Sequence, residues 1–423
     1  MAAGNRVVVT GLGATTPVGG DTTAFWRSLL DGTVGVRALP DAWARELPVR
    51  IAAVAAVEPQ GVLTRVEARR LDRTSQFALV AAREAWADAG FGGPAGPGGG
   101  VEPRRLATVV SSAVGGWHTL LGSWDAMVAG GARAVSPLTI PKLMPNAASA
   151  RVGMEVGARG GSHAAVSACA SGAEAIAWGC DLIRWGRADV VVAGGCEAVI
   201  HPLAFAGFGN MLAMSRRNDE PALASRPFDA ERDGFVLGEG AGVLVLESAA
   251  HAERRGARVY AELAGHGGSA DSHHLAQPEP TGRGVVEALT AALADAGADA
   301  ADVVHVSAHA TSTPVGDRAE ALALAAVLGR RVRHAGIAAT KSMTGHMLGA
   351  AGAVQAIATV LALHERTAPP TVNLDTPDPA ALDAGLDLIR DKPRPLPLTG
   401  PLLALSNSFG FGGHNVVLTF RTA

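Results

Sequence analysis

Cysteine is scarce in this chain of 423 residues: Cys169, Cys180 and Cys196 are the whole supply. Three thiols cannot all pair, and their spacing matches no zinc pattern, so a disulfide scaffold is excluded, no metal site is expected, and reduced thiols in a cytoplasmic setting are expected. Charge is also sparse. Charged residues make up 18%, and 36 Lys+Arg against 39 Asp+Glu leave a formal balance of −3. A dedicated nucleic-acid binder would need clustered Lys and Arg, so that class is set aside. No apolar run reaches the ~20 residues that a membrane span needs. The nearest, Met347 to Leu363, is interrupted by Gln355 and by glycines and reads as a buried helix. Met1 to Gly13 lacks a basic leader and runs straight into a strand, so no signal peptide is expected. A single tyrosine and few lysines beside 53 glycines point to a high-GC bacterial genome. What is abundant is apolar surface, 48% of residues, which excludes disorder and predicts a large core.

Length alone suggests about three domains, and two large α/β halves fit equally well. Short β-branched runs alternate with Ala-rich helical stretches. Strands are expected at Arg6–Thr10, Ala107–Ser111, His163–Ser167, Ala188–Ala193 and Gly242–Glu247. A second series follows at Arg258–Ala264, Val303–Ala308, Gly336–Thr340, Leu402–Ser406 and Asn415–Phe420. Helices are expected at Ser75–Ala89, Ser171–Arg184, Gly284–Ala296, Asp317–Val327 and Ala350–Glu365. This alternation predicts a mainly parallel sheet covered on both faces. It occurs twice, with a break near His251–Ala257, giving halves at residues 1–256 and 257–423. Gly92–Gly100 is expected as a surface excursion.

Val166-Ser-Ala-Cys-Ala-Ser-Gly172 places one thiol between an apolar strand and a helix start. On such a bend Cys169 is expected to be exposed and to face the positive end of the helix dipole, which favours the thiolate. Small neighbours would let a substrate carbonyl approach. The simple alternative is a buried structural Cys169. Cys180 falls inside the helix and reads as core, and Cys196, at a strand end, is a weaker rival.

Most of the 13 histidines need no function; His118, His163, His251, His305, His334 and His364 suit helix faces, strand ends or solvent. His309 and His346 differ, because each follows a strand and precedes a small-residue helix, as Cys169 does. Carboxyl ends of strands are where α/β folds gather their sites, so the three are expected to converge. A thiol can take an acyl group from a thioester, and two imidazole N–H donors aimed at one oxygen would stabilise an enolate. That set suits carbon–carbon bond formation better than hydrolysis, for which one histidine is enough. Lys341 could orient a histidine or tune its field, or be an ordinary surface lysine.

Ser406-Asn-Ser-Phe-Gly-Phe-Gly-Gly-His-Asn415 joins two late strands through a flexible loop whose glycines let backbone N–H groups approach a ligand. Phe411 could gate access there, unless the segment is only a tight β-connection. No Lys-Ser/Thr follows the glycines, so it is no P-loop, and neither Gly11-Leu-Gly13 nor Gly238-Glu-Gly-Ala-Gly242 completes a dinucleotide fingerprint.

Taken together, Ser-Ala-Cys169-Ala-Ser-Gly, His309-Ala-Thr-Ser-Thr-Pro, Lys341-Ser-Met-Thr-Gly-His346 and Asn407-Ser-Phe-Gly-Phe-Gly-Gly resemble the β-ketoacyl-[acyl carrier protein] synthases of the thiolase superfamily. The resemblance runs from the first strand to the last, and the elongating Cys-His-His type fits best. It implies an α/β fold of five layers, αβαβα, with two pseudo-repeated halves, working as a dimer. It implies decarboxylative Claisen condensation of an acyl chain on Cys169 with malonyl-carrier protein. The N–H groups of Cys169 and Phe411 would form the oxyanion hole, and His309 and His346 would stabilise the enolate. Lys341 and Glu320 match supporting charged residues. Thr311 and Thr313 match contacts to the pantetheine arm, Phe208 an aromatic beside the tunnel, Phe409 a further substrate contact, and Val114 a wall of the acyl pocket.

The resemblance further implies no cofactor other than the phosphopantetheine of the carrier protein, and it places a basic patch for that carrier at Arg65, Arg69 and Arg70. Two departures stand out. Ala310 replaces a usual glycine and is expected to narrow the pantetheine channel, and Trp117-His118 adds bulk near the acyl pocket. The wording around Cys169 is similar to that of long-chain-elongating actinobacterial members. Fatty acid and polyketide assembly both remain open, the latter with a chain-length factor as partner in a heterodimer in place of a homodimer. A chain-length factor itself and a degradative thiolase are the other readings, opposed by the intact Cys-His-His set and by the Phe-Gly-Phe-Gly-Gly loop.

Overall fold

Ten strands pair into one sheet in the computed structural model, which describes residues 6–96 and 100–423. Residues 97–99 of the expected Gly92–Gly100 excursion lie outside the described residues. The sheet strands are β1 (Val7–Thr15), β2 (Leu106–Ser111), β3 (Ser162–His163), β4 (Val190–Glu197) and β5 (Gly240–Ser248). They continue with β6 (Ala261–Ala270), β7 (Val303–Ser307), β8 (Gly336–Ala338), β9 (Leu403–Gly410) and β10 (His414–Arg421). The order across the sheet is β8-β7-β9-β10-β6-β1-β5-β4-β2-β3. Numbered within each set of five, both sets follow the same order, 3-2-4-5-1. They meet where β1 pairs with β6 at Val7↔Leu263, Val8↔Glu262 and Val9↔Ala261.

The sheet is mixed, which corrects the expectation of a mainly parallel one. β2 runs parallel to β3 and β4, and β7 parallel to β8 and β9. The pairs β1–β5, β1–β6, β4–β5, β6–β10 and β9–β10 are antiparallel. The physical reason is local: a three-residue connection, Phe411 to Gly413, can only make a hairpin of β9 and β10. Strand β3 is also shorter than expected. Pairing ends at His163, and 164–167 continue as irregular chain tied down by Ala165 N–H to Ser111 Oγ (3.0 Å).

Helices layer on both sides. α1 (Arg65–Arg70) precedes α2 (Arg73–Asp88), α3 (Trp117–Gly130), α4 (Ala147–Val156) and α5 (Ser171–Arg184). Further on come α6 (Pro202–Asn210), α7 (Arg283–Asp295), α8 (Pro314–Leu328), α9 (Lys341–Thr344) and α10 (Ala351–His364). α2 and α4 cover the outer face of the first five strands, and α7 and α8 that of the second. α5 and α10 form the middle layer between them. α10 is apolar on all sides apart from Gln355 and Thr359, and every residue from Ala351 to Leu363 is buried, as a helix with no polar face must be. No helix among the described residues is long and apolar enough to cross a membrane.

Two close approaches bring the later site residues together. A Cβ on Gly172 would lie 2.7 Å from the carbonyl oxygen of Gly349, so only glycine lets the start of α5 touch the segment after His346. A Cβ on Gly410 would lie 2.4 Å from the Ser167 carbonyl oxygen and 3.1 Å from Cys169 N. The end of β9 therefore packs backbone to backbone against the turn that carries Cys169.

Candidate active site

Cys169 lies in a single 3-10 turn, Ala168–Ala170, that leads into α5. Ala168 adopts φ +51°, a left-handed conformation that costs a non-glycine residue about 1–3 kcal/mol and makes the turn sharp. Contrary to the exposed thiolate expected, the Cys169 side chain is buried, and burial pushes its thiol up to about 11. The N–H of Phe411, the Lys341 ammonium and Cys169's own N–H pull the other way without overcoming it. Desolvation outweighs the helix terminus because the dipole is worth a fraction of what an uncompensated buried charge costs. Cys180 and Cys196 are buried in the core, and Cys196 Sγ rests on the Ser111 carbonyl oxygen at 3.6 Å.

Both histidines reach the same cavity as Cys169, a cleft of about 660 Å³ also lined by Val114, Phe208, Thr311, Thr313, Glu320 and Phe409–Phe411. His309 follows β7, and His346 follows α9. Their rings lie 5.6 Å apart at 87°. Burial holds both well below the ordinary imidazole range, and the Lys341 charge lowers them further. Each is a neutral imidazole with one N–H to donate. Phe409 sits 5.3 Å from His309, and Phe235, which the sequence reading passed over, 5.5 Å from His346.

The supporting residues are buried too. Glu320 accepts from His309 N–H (2.8 Å), Ala310 N–H (2.7 Å) and Asn407 Nδ2 (2.8 Å), so it fixes the backbone that carries His309. Lys341 is no surface lysine: its Nζ donates to Gln355 Oε1 at 2.8 Å and to neither histidine. Thr311 and Thr313 hydroxyls stand 3.1 Å apart. Between them Ser312 is left-handed (φ +71°), held by Asp317 Oδ1 on its N–H and by Gly234 N–H on its carbonyl.

Ala310 does not narrow the channel. It is buried in the core cluster with Phe228 and Leu324, while its neighbours His309 and Thr311 line the cavity. Trp117 packs against the cluster that includes Cys169, Phe205 and Leu348, and His118 stacks edge-on to His201 at 5.8 Å. Neither lines the cavity, so their bulk stands behind its wall. Arg65, Arg69 and Arg70 are exposed on α1, whose start is capped by Thr64 and Glu67.

Besides Phe235, three buried polar residues were given no role from the sequence. Gln355 is an isolated amide in an apolar helix, a pattern that demands a partner. Glu197 ends the apolar strand β4 and accepts from Ser112 Oγ, Ala113 N–H and Gly349 N–H, so it joins the Val114 wall to the segment after His346. Burial pushes it up to about 7. Asn407 lay inside a quoted motif without a role.

The expected flexible loop is a hairpin turn. Gly412 (φ +88°) and Gly413 (φ +78°) make the bend, and it is tied to the neighbouring segment by Gly412 N–H to Leu275 O (2.8 Å) and Asp271 N–H to Gly413 O (2.9 Å). Its position depends on Gly410. In Gly410→Ala the new Cβ forces the hairpin off the Cys169 turn and draws the Phe411 N–H away from the sulfur. Acyl transfer to Cys169 is expected to fall by about 10²–10³, read by mass spectrometry of the acylated chain. A variant acylated at the normal rate would overturn the oxyanion role expected of the Phe411 N–H.

Known proteins resemble this chain over nearly its whole length. Residues 4–252 match the model of the β-ketoacyl synthase N-terminal domain, and residues 260–375 that of its C-terminal domain. The chain therefore belongs to the β-ketoacyl synthases, and its fold is the thiolase-like one. A 3-oxoacyl-[acyl-carrier-protein] synthase 2 of Mycobacterium tuberculosis (strain ATCC 25618 / H37Rv) is 43% identical over 98% of this chain and 96% of its own. The protein of that name from Synechocystis is 39% identical over 98% of each chain. Among solved structures, a β-ketoacyl synthase from Burkholderia phymatum superposes with TM-score 0.88 at 36% identity, covering 99% of this chain and all of its own. A type II polyketide ketosynthase in complex with its acyl-carrier protein gives 0.88 at 32%, with the same coverage. The ishigamide ketosynthase/chain length factor gives 0.87 at 30% over all of both chains.

Proposed function

We propose that this acyltransferase makes 3-ketoacyl thioesters by decarboxylative condensation on an acyl carrier protein, and that Cys169, His309 and His346 perform it. One observation carries the assignment: a buried thiol and two neutral imidazoles, 5.6 Å apart, line one cavity. In the first half-reaction the sulfur of Cys169 attacks the thioester carbonyl of the acyl donor. The developing oxyanion is held by the N–H groups of Cys169 and Phe411, and the thiol proton leaves with the pantetheine sulfur. In the second, the bond to the malonyl carboxylate breaks and CO₂ departs. Its electron pair becomes an enolate whose oxygen accepts from His309 and His346. The enolate carbon then attacks the Cys169 acyl carbon and displaces the sulfur as a thiolate, which takes a proton from water to restore the thiol. Neutral rings suit this step, since each offers an N–H without releasing a proton to the carbanion.

Thr311 and Thr313 would hold the pantetheine arm, Phe208 and Phe409 would flank it, and Val114 would bound the acyl chain. Lys341 and Glu320 act on the histidines through field and backbone. This chemistry asks for no metal and no cofactor beyond the carrier's phosphopantetheine. Arg65, Arg69 and Arg70 offer charge to steer an acidic carrier. The solved polyketide ketosynthase in complex with its acyl-carrier protein supports such a partner.

We read the chain as two halves, 1–256 and 257–423, acting in the cytoplasm. Homodimerisation is supported by helix α3, which is apolar yet buries no residue, with Trp124 59% and Val128 69% exposed. Edge strand β3 is likewise free to pair with a second copy. A native mass of twice the chain is expected; a monomer would remove this reading. The likeness to the ishigamide ketosynthase/chain length factor favours the alternative, a polyketide heterodimer. The deciding assay supplies acyl- and malonyl-carrier protein and measures 3-ketoacyl product with CO₂. Release of free acid in place of condensed product would overturn the proposed function.

A further inference from the structure

Lys341 is 3% exposed, and among the described residues its Nζ has one hydrogen-bond partner, the amide oxygen of Gln355. No carboxylate among those residues comes within ion-pairing distance of it. Gln355 is itself 2% exposed and cannot turn over. Its Nε2 donates to the carbonyls of Ser307 and Asn407, both at 2.8 Å, and a flipped amide would set oxygen against oxygen at both places. Ser307 ends β7, which leads to His309, and Asn407 lies in β9, which leads to Gly410 and Phe411. One amide thus spans both strands that deliver the site and points its oxygen at the lysine.

The groups that face Lys341 are Cys169 on its turn, His309 after β7, His346 after α9, and Asp317 and Glu320 on α8. The two acids are weak counter-charges. Burial pushes both up, Asp317 to about 7, and Glu320 already spends its oxygens on three N–H donors. An ammonium buried on a neutral acceptor loses its proton far more readily than one paired with a carboxylate.

We propose that Gln355 is a positioning residue: by giving Lys341 a neutral acceptor, it makes the lysine a proton-exchanging group, so that the site exists in a cationic and a neutral form within its working range. Burial lowers Lys341 to about 8, in keeping with this. The cationic form favours the Cys169 thiolate and holds both imidazoles neutral; the neutral form withdraws that field. The inference rests on Cys169 being the nucleophile of the proposed reaction.

The test is alkylation of Cys169 by iodoacetamide across the neutral and alkaline range, followed by peptide mass. It needs no carrier substrate, so its result stands apart from the condensation assay. In the parent protein the rate should climb with pH, flatten as Lys341 loses its proton, and climb again. Gln355→Glu places a carboxylate on the ammonium and should move the break up by about 1 to 3 pH units. Gln355→Leu should move it down. Lys341→Arg, whose charge does not titrate in this range, should abolish it. Coincident breaks in the parent and Gln355→Glu, or a break that survives Lys341→Arg, would overturn the proposal. Should Gln355→Leu fail to fold, the other two variants decide.

Discussion

Cys169→Ala is expected to yield a folded protein that gains no acyl mass from any acyl-carrier donor and forms no 3-ketoacyl product, a loss on the order of 10⁴-fold or more. The side chain is small and lies in a turn whose shape is set by the backbone of Ala168 and by the Gly410 contact, so its removal leaves the cavity intact. Loss of CO₂ from malonyl-carrier protein should survive within about tenfold, because the proposed mechanism rests the enolate oxygen on the histidines and not on the sulfur. A mass increment retained in Cys169→Ala would place the acyl group elsewhere. With Cys180 and Cys196 both buried outside the cavity, no other thiol is positioned to take it.

His309→Ala and His346→Ala should show the opposite split. Acyl transfer to Cys169 should continue, while malonyl decarboxylation falls by about 10²–10³ for either variant, the range for one lost oxyanion donor. The double variant should lose little more than the worse single one, since one donor alone cannot centre the enolate oxygen. Replacement of either ring by Gln or Asn tests the donor directly. Partial recovery is expected, as a side-chain amide restores an N–H, whereas no recovery would assign the rings to proton transfer. Labelled CO₂ release and protein mass, measured on the same samples, separate the two half-reactions.

Much of this architecture was legible in the residue order. The helix expected at Ser171–Arg184 has those bounds, and the helix read from Met347–Leu363 despite its hydropathy is the buried middle-layer helix α10. Small-residue turns after strands located Cys169, His309 and His346, and the structure brings them to one cavity. Strand direction was less legible. Alternation of βα elements resembles a parallel sheet, yet the β9–β10 hairpin and the return of β5 and β10 beside β1 and β6 make antiparallel pairs. Helix α3 was missed because most of its apolar residues stay exposed and show no buried stripe, and Gln355 because its meaning lies in contacts to Ser307, Asn407 and Lys341 that only the fold makes.

The sequence alone determined where chain reversals fall, which thiol and imidazoles stand at them, and that glycine had to flank them, since these depend on local geometry and side-chain size. Only the assembled structure decided how those groups are charged. Cys169 is held as a thiol, His309 and His346 as neutral rings, and Lys341 on an amide, because the loss of solvent around each is created by elements hundreds of residues apart closing over one cleft.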